Sequence, residues 1–227
     1  PNTGIVALPG GNVRLYDRFK ELEQEFSFYA EMKEIATSTG LDFLASPFGM
    51  KSLEWLLKLD CHSIKIASPE LNHFPLLKAS AETGRKMIIS SGVSELNDIK
   101  AAIEVISKAA PADAHLPVLM HCITSYPAPE KEYNLEILKT FSSLFKVELG
   151  VSDHSQDPLL VPATAAAICP TKCCYMEKHI TLQNDDGGLD DPIALTPHQF
   201  SKMTGIIHET RQLRAKTSES EALESLN

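Results

Sequence analysis

The chain has 227 residues, 43% of them apolar and 22% charged, with a net charge of −9. That length suits one large α/β domain, and the acidic balance without any basic stripe argues against a nucleic-acid groove. No apolar run approaches the roughly 20 residues of a membrane span, the N-terminus lacks the charged and apolar regions of a signal peptide, and five cysteines without framework spacing point to a reduced, cytoplasmic protein.

Residues 1–14, rich in Gly and Pro, read as a loop. Leu15–Thr39 mixes charged and apolar residues at helical spacing, with Gly40 as its stop. L-D-F-L-A-S-P-F at 41–48 reads as a strand closed by Pro47, and 50–59 as a short helix. S-I-K-I-A-S at 63–68 is a second strand, followed by a helix to Thr83 that stops at Gly84. K-M-I-I-S-S-G at 86–92 is a third strand, and Ser94 is the expected cap of a helix running to Ala109. L-P-V-L-M-H-C-I at 116–123 is a fourth strand, with a helix over 134–145. K-V-E-L-G-V-S at 146–152 is a fifth, and an alanine-rich helix covers 158–168. C-Y-M-E-K-H-I at 174–180 is a sixth. Thr196 caps the last helix, with Pro197 at its first position, and that helix runs to about Arg214. The tail 215–227 reads as disordered.

Strict alternation of short apolar strands with helices means a parallel sheet with helices outside. No G-x-G-x-x-G or G-x-x-x-x-G-K-[ST] follows a strand, which weakens a nucleotide-binding sheet. Polar residues instead end every strand: Ser46, Lys65 to Ser68, Ser90 and Ser91, Thr124 to Tyr126, Ser152 to His154, Glu177 to His179. Spreading the chemistry over all strand ends is the habit of a (β/α)8 TIM-type barrel. Six βα units are visible over 15–214, so the first two units of such a barrel would precede residue 15.

On a strand, residues two apart share a face. Ser152 with His154, and Glu177 with His179, therefore form two same-face pairs, which adjacent parallel strands would aim at one place. Two imidazoles beside oxygen donors suit a divalent metal with open positions; the ordinary alternative is a pair of surface or core histidines. Lys65 lies opposite Ile64 and Ile66 and so points to the strand-end mouth, where it needs an anion. A phosphate or carboxylate fits, as does an ion pair with Glu177 or Asp153, or a Schiff base. Serines at successive strand ends add phosphate contacts, though each taken singly is an ordinary turn residue. Glu70, just after the second strand, can hold a hydroxyl or move a proton, or simply favour a helix N-terminus; Asn72, His73 and Asp42 are weaker candidates. Tyr126 precedes Pro127, which holds it extended. His121 faces the helices as a core histidine. The acidic stretch at 185–191 hangs over the site, where Asp190 suits a polyol. C-P-T-K-C-C at 169–174 has no second cysteine pair to close a tetrahedral site, so packing is its expected role.

These residues carry a resemblance. S-P-F (46–48), K-I-A-S-P-E-L-N (65–72), I-S-S-G (89–92), H-C-I-T-S-Y-P-A-P (121–129), N-L (134–135), G-V-S-D-H-S (150–155) and E-K-H-I-T-L (177–182), with the aspartate-rich loop after them, look like the sialic acid synthase family, in order from about residue 15 to 210. The resemblance implies a (β/α)8 barrel that condenses phosphoenolpyruvate with N-acetylmannosamine, its 6-phosphate or a related amino sugar, releasing phosphate and a nonulosonic acid. It implies manganese, or alternatively magnesium or cobalt, on His154 and His179. Phosphoenolpyruvate contacts would come from Lys65, Ser68, Ser90, Thr124, Tyr126 and Ser152, sugar contacts from Glu70, Glu177 and Asp190, and proton movement from Glu70 and Glu177. A homodimer is expected.

The sequence departs from the family in lacking its N-H-x-G motif with the preceding strand glutamate, the lysine of its second strand and its antifreeze-like C-terminal domain. Thr124 stands where many members carry a different polar residue. The expectation is a barrel open on its N-terminal side, with full synthase activity absent from these residues alone. The rival readings are a class I aldolase using Lys65, a catalytically inactive sugar- or phosphate-binding barrel, and an N-terminally truncated fragment.

Overall fold

A computed structural model describes residues 4–8, 11–170, 174–184, 188 and 190–214. The expected disordered tail at 215–227 lies outside the described residues, as do 185–187 and 189 of the acidic loop and 171–173 of the cysteine-rich stretch. The chain divides into two compact units, one of residues 1–119 with 186–189, the other of 120–185 with 190–227.

The first unit opens with a feature that the Gly and Pro content had hidden. Strands β1 (Ile5–Leu8) and β2 (Gly11–Arg14) form an antiparallel pair rather than a loop. The run I-V-A-L is strand-forming, and it outweighs its flanks. The helical stretch to Thr39 is two helices, α1 (Leu15–Glu21) and α2 (Phe26–Ser38). Glu21, Glu23 and Glu25 crowd the C-terminal end of α1, where the helix dipole disfavours negative charge. Gly40, at φ 77°, ends α2 in the left-handed region that a side chain would resist.

Residues 41–48 are extended, but they are not the strand expected. A backbone link to the next strand runs from Lys65 N–H to the Ala45 carbonyl at 3.4 Å. Pro47 has no N–H to give, and Phe48 N–H turns to Ser52 Oγ at 3.1 Å. Helix α3 (Met50–Lys58) follows, then β3 (Ser63–Ile66), α4 (Phe74–Glu82), β4 (Lys86–Ser90) and α5 (Leu96–Ala109). β3 and β4 are parallel, with Lys65 opposite Ile88. Ile64, Ile66 and Ile89 are fully buried. α5 buries Ile99, Ala102, Ile103 and Ile106, the i, i+3, i+4, i+7 stripe of a helix on a sheet, and it packs on α4. Its cap is Glu95 rather than Ser94: Glu95 and Asp98 close a reciprocal capping box, with Glu95 N–H on Asp98 Oδ2 at 2.9 Å.

Strand β5 (Val118–Cys122) carries the boundary between the units. The second unit continues with α6 (Ile137–Leu144), β6 (Glu148–Asp153), α7 (Leu160–Ile168), β7 (Cys174–Lys178) and α8 (Pro197–Arg214). β6 and β7 are parallel. α7 buries Val161, Pro162, Ala165 and Ala166 and packs on α8, the small alanines allowing close approach. Thr196 caps α8 as its sequence indicates: Thr196 Oγ1 accepts Gln199 N–H at 3.4 Å while Gln199 Oε1 accepts Thr196 N–H at 2.9 Å. The hydrogen-bonded strand order is β3-β4-β5-β6-β7, five strands where the sequence had suggested six. No described helix is long and apolar enough to cross a membrane.

Candidate active site

The second unit brings together six of the predicted residues at the C-terminal ends of β5, β6 and β7. Register explains why. Ser152 stands opposite Glu177 on paired parallel strands, so the residues two positions beyond each of them, His154 and His179, emerge side by side. The two imidazole centroids are 5.5 Å apart. Tyr126, beyond β5, stacks on His154 with centroids 4.2 Å apart and meets the His179 ring edge-on at 6.0 Å. The Tyr126–Pro127 peptide is cis. Thr124, on the same segment, is exposed.

Hydrogen bonds set the state of each group. Ser152 Oγ donates to Glu177 Oε1 at 2.6 Å and lies 3.2 Å from His154 Nε2. His154 Nδ1 is 2.7 Å from the Ile123 carbonyl, which can only accept. The neutral ring therefore carries its hydrogen on Nδ1 and keeps a lone pair on Nε2, 3.3 Å from Tyr126 Oη. Burial pushes the His154 imidazole below its ordinary range, and the neighbouring His179 adds to that. His179 Nδ1 lies 3.4 Å from Asp190 Oδ2, which directs its Nε2 away from the carboxylate. Burial, then the negative charge of Asp190, pushes the Tyr126 hydroxyl up to about 12, so it stays protonated and can donate.

This donor set fits a divalent cation. The Ile123 carbonyl on His154 Nδ1 orients that ring, the Asp190 carboxylate lies near His179 Nδ1, and each Nε2 is left to coordinate. Ser152 Oγ, its hydrogen committed to Glu177, turns a lone pair toward His154 Nε2. Among the described residues no three His, Cys, Asp or Glu side chains close a cage. Two imidazoles would leave positions on such an ion for water and substrate, as catalytic centres require.

The first unit holds the other predicted residues. Lys65, on β3, is buried. Ser68 Oγ accepts Gly92 N–H at 2.9 Å, which ties the turn after β3 to the turn after β4. Ser90, at the end of β4, is buried, and its hydroxyl has no hydrogen-bond partner among the described residues. Glu70 follows in a short turn, and its Oε2 lies 2.6 Å from His73 Nδ1. His73 is thus a working neighbour of Glu70, which its place in the sequence had made a weak candidate.

The residues that precede the two histidines form a pair of their own, which sequence reasoning did not foresee. Lys178 Nζ contacts Asp153 Oδ2 at 3.0 Å, both side chains at 0% exposure, and donates to the Ser155 carbonyl at 2.5 Å. Asp153 had been a suggested partner for Lys65; its second oxygen instead accepts Ser155 N–H at 2.9 Å. The signal was available: Asp153 precedes His154 and Lys178 precedes His179 at matched positions. His121 behaves as the expected core histidine, with Nε2 donating to the Tyr133 carbonyl at 2.7 Å and the ring against Phe141. Cys61, Cys122 and Cys169 are buried.

The chain is 30% identical over 193 residues to the N,N'-diacetyllegionaminic acid synthase of Campylobacter jejuni, covering 85% of this chain and 56% of that one. It is 34% identical over 192 residues to an uncharacterized protein of Methanocaldococcus jannaschii, covering 85% and 55%. The chain spans about half the length of these curated relatives. Among solved structures, the N-acetylneuraminic acid synthetase of Leptospira borgpetersenii, crystallised with citrate, superposes with a TM-score of 0.80 at 27% identity, covering 91% of this chain and 71% of that one. A truncated 3-deoxy-D-arabino-heptulosonate 7-phosphate synthase of Thermotoga maritima, at 14% identity and a TM-score of 0.66, shares the fold over 84% of this chain. The NeuB family model matches residues 7–219, and the chain belongs to that family.

Proposed function

We propose that the protein is a nonulosonic acid synthase, condensing phosphoenolpyruvate with N-acetylmannosamine, its 6-phosphate or a related amino sugar and releasing phosphate. The observation that carries this reading is the grouping of Tyr126, Ser152, His154, Glu177, His179 and Asp190 at the ends of adjacent strands. The relatives named as legionaminic and N-acetylneuraminic acid synthases support it. We also read the five strands as part of a (β/α)8 barrel, and the protein as cytoplasmic and homodimeric.

In the reaction the methylene carbon of phosphoenolpyruvate forms a bond to the aldehyde carbon of the open-chain sugar, and the aldehyde oxygen takes a proton. Positive charge develops at C2 of the enol ester. Water adds there and gives up one proton, the bond from C2 to the bridging oxygen breaks, and the remaining hydroxyl proton goes to the departing phosphate, which leaves the 2-keto acid. His154 and His179 would hold a divalent ion, manganese in preference to magnesium or cobalt, which supplies Lewis-acid polarisation of the aldehyde. Lys65 and the hydroxyls of Ser68 and Ser90 bind the anion, and the unpartnered Ser90 hydroxyl supports that role. Ser152, Thr124 and the protonated Tyr126 hydroxyl orient the same substrate, and orientation is the larger part of the rate gain. Glu70 and Glu177 hold sugar hydroxyls and move protons; the Ser152 hydrogen bond fixes the Glu177 carboxylate, and His73 steadies Glu70. Asp190 lies close to His179 and is the natural contact for the polyol.

The test is phosphate release with phosphoenolpyruvate, N-acetylmannosamine and Mn2+, with mass spectrometry of the product. Phosphate release that needs all three components, with a nine-carbon keto acid formed, is expected. Calorimetry showing that phosphoenolpyruvate does not bind in the presence of Mn2+ would refute the reading.

A further inference from the structure

The Asp153–Lys178 ion pair is wholly enclosed, which is costly unless something recovers the lost hydration. Its bonds all fall on the chain around His154. Asp153 accepts Lys178 and the Ser155 N–H; Lys178 also grips the Ser155 carbonyl. Tyr133, 1% exposed, accepts the His154 N–H on its hydroxyl at 2.6 Å. Burial, then the negative charge of Asp153, pushes that hydroxyl up, so it stays protonated. Both backbone N–H groups that follow Asp153 are thus held by side chains, on the face away from the imidazoles. Because Asp153 stands opposite Lys178 in the β6–β7 register, the same pair links the residue before His154 to the residue before His179.

We propose that Asp153, Lys178 and Tyr133 are positioning residues that hold the two histidines at their mutual distance, and that this enclosed network sets the affinity of the divalent-ion site. The inference rests on the metal role read above for His154 and His179, but the backbone clamp itself does not. The ion pair ties two strands at one register, so a change on either side moves both imidazoles relative to each other.

The double variant Asp153→Asn/Lys178→Met removes both charges at near-constant volume, so no lone charge is left buried. Hydrogen exchange of individual amides is measured first. His154 and Ser155 are expected to exchange at least about tenfold faster, while Leu149 and Val151 keep their protection. Mn2+ titration of the same protein, read by the free-ion paramagnetic resonance signal, is expected to show a Kd raised about 10–100-fold. An Ile106→Val variant, destabilised in a helix of the first unit, is expected to leave both readings unchanged. If the double variant does not fold, Tyr133→Phe keeps the ion pair, removes the acceptor for His154 N–H and is read in the same way. Exchange at His154 and Ser155 within about twofold of the unmodified protein overturns the proposal, as does faster exchange with an unchanged Mn2+ Kd. Should the unmodified protein bind no Mn2+, the metal role falls instead, and the exchange result alone decides the clamp.

Discussion

Gly150 is the residue at which a single methyl group should do the most harm. It lies on β6 between β5 and β7, and its backbone is ordinary strand, so the constraint is space rather than dihedral freedom. A Cβ placed there would stand 2.7 Å from the Tyr175 carbonyl oxygen and 2.8 Å from Tyr175 Cβ, and would also collide with Met120 Sδ. Favourable non-bonded separations are about 3.5–4.0 Å, so relief requires movements approaching 1 Å. The Met120 thioether can swing aside. Tyr175 cannot, because it is the direct partner of Gly150 in the β6–β7 ladder. Overpacking a strand interior costs about 1–3 kcal/mol, and contact with backbone puts Gly150→Ala at about 3. For a chain of this size, that lowers Tm by roughly 6–12 °C. The same displacement would shift Ser152 away from Glu177, two residues further along each strand, so Mn2+ affinity and turnover should fall as well. Thermal unfolding followed by circular dichroism is the assay. A Gly150→Ala protein melting within about 2 °C of the parent would show that β6 and β7 can part without cost, and the reasoning would be wrong.

Ser152→Ala deletes the hydroxyl that holds Glu177, and should lower kcat/KM by about tenfold or more, equivalent to about 1.4 kcal/mol, with little change in Tm; steady-state kinetics checks this. Dialysis against a chelator should abolish phosphate release, with Mn2+ restoring it, whereas His179→Ala should not be restored at the same Mn2+ concentration. Burial holds His121 below the ordinary imidazole value of about 6.5, so the unfolded chain takes up a proton there more readily than the folded one. Its contribution is complete above pH 6.5 and is lost as pH falls toward the folded-state value. His154 is shifted in the same direction. His121→Phe should therefore flatten, without removing, the drop in Tm between pH 7 and pH 5, measured by calorimetric scans at both values.

Much of the site was legible because it depends on strand periodicity. The two-residue spacing of Ser152 with His154 and of Glu177 with His179 places each pair on one face whatever the rest of the chain does. The pairing of Ser152 with Glu177 then follows from register, which the apolar runs on either side of Gly150 and Tyr175 constrain. Residues 41–48 show the opposite case. Their composition is that of a strand, but a strand requires a ladder, and one link to Lys65 does not make one. The pair β1 and β2 erred the other way, since Gly and Pro at its margins masked a short strand-forming run.

Periodicity, punctuation and residue chemistry in the chain itself dictated alternating helices and strands, the placement of polar groups at strand ends, the stops at Gly40 and Gly84 and the cap at Thr196, because each is a local property of a few neighbouring residues. Only the tertiary structure decided that Lys178 neutralises Asp153, that His73 contacts Glu70, that Asp190 lies against His179 and that Tyr126 stacks on His154. Those contacts join residues by charge and distance across separate elements or turns, and such partners are selected by burial and register, which no local pattern encodes.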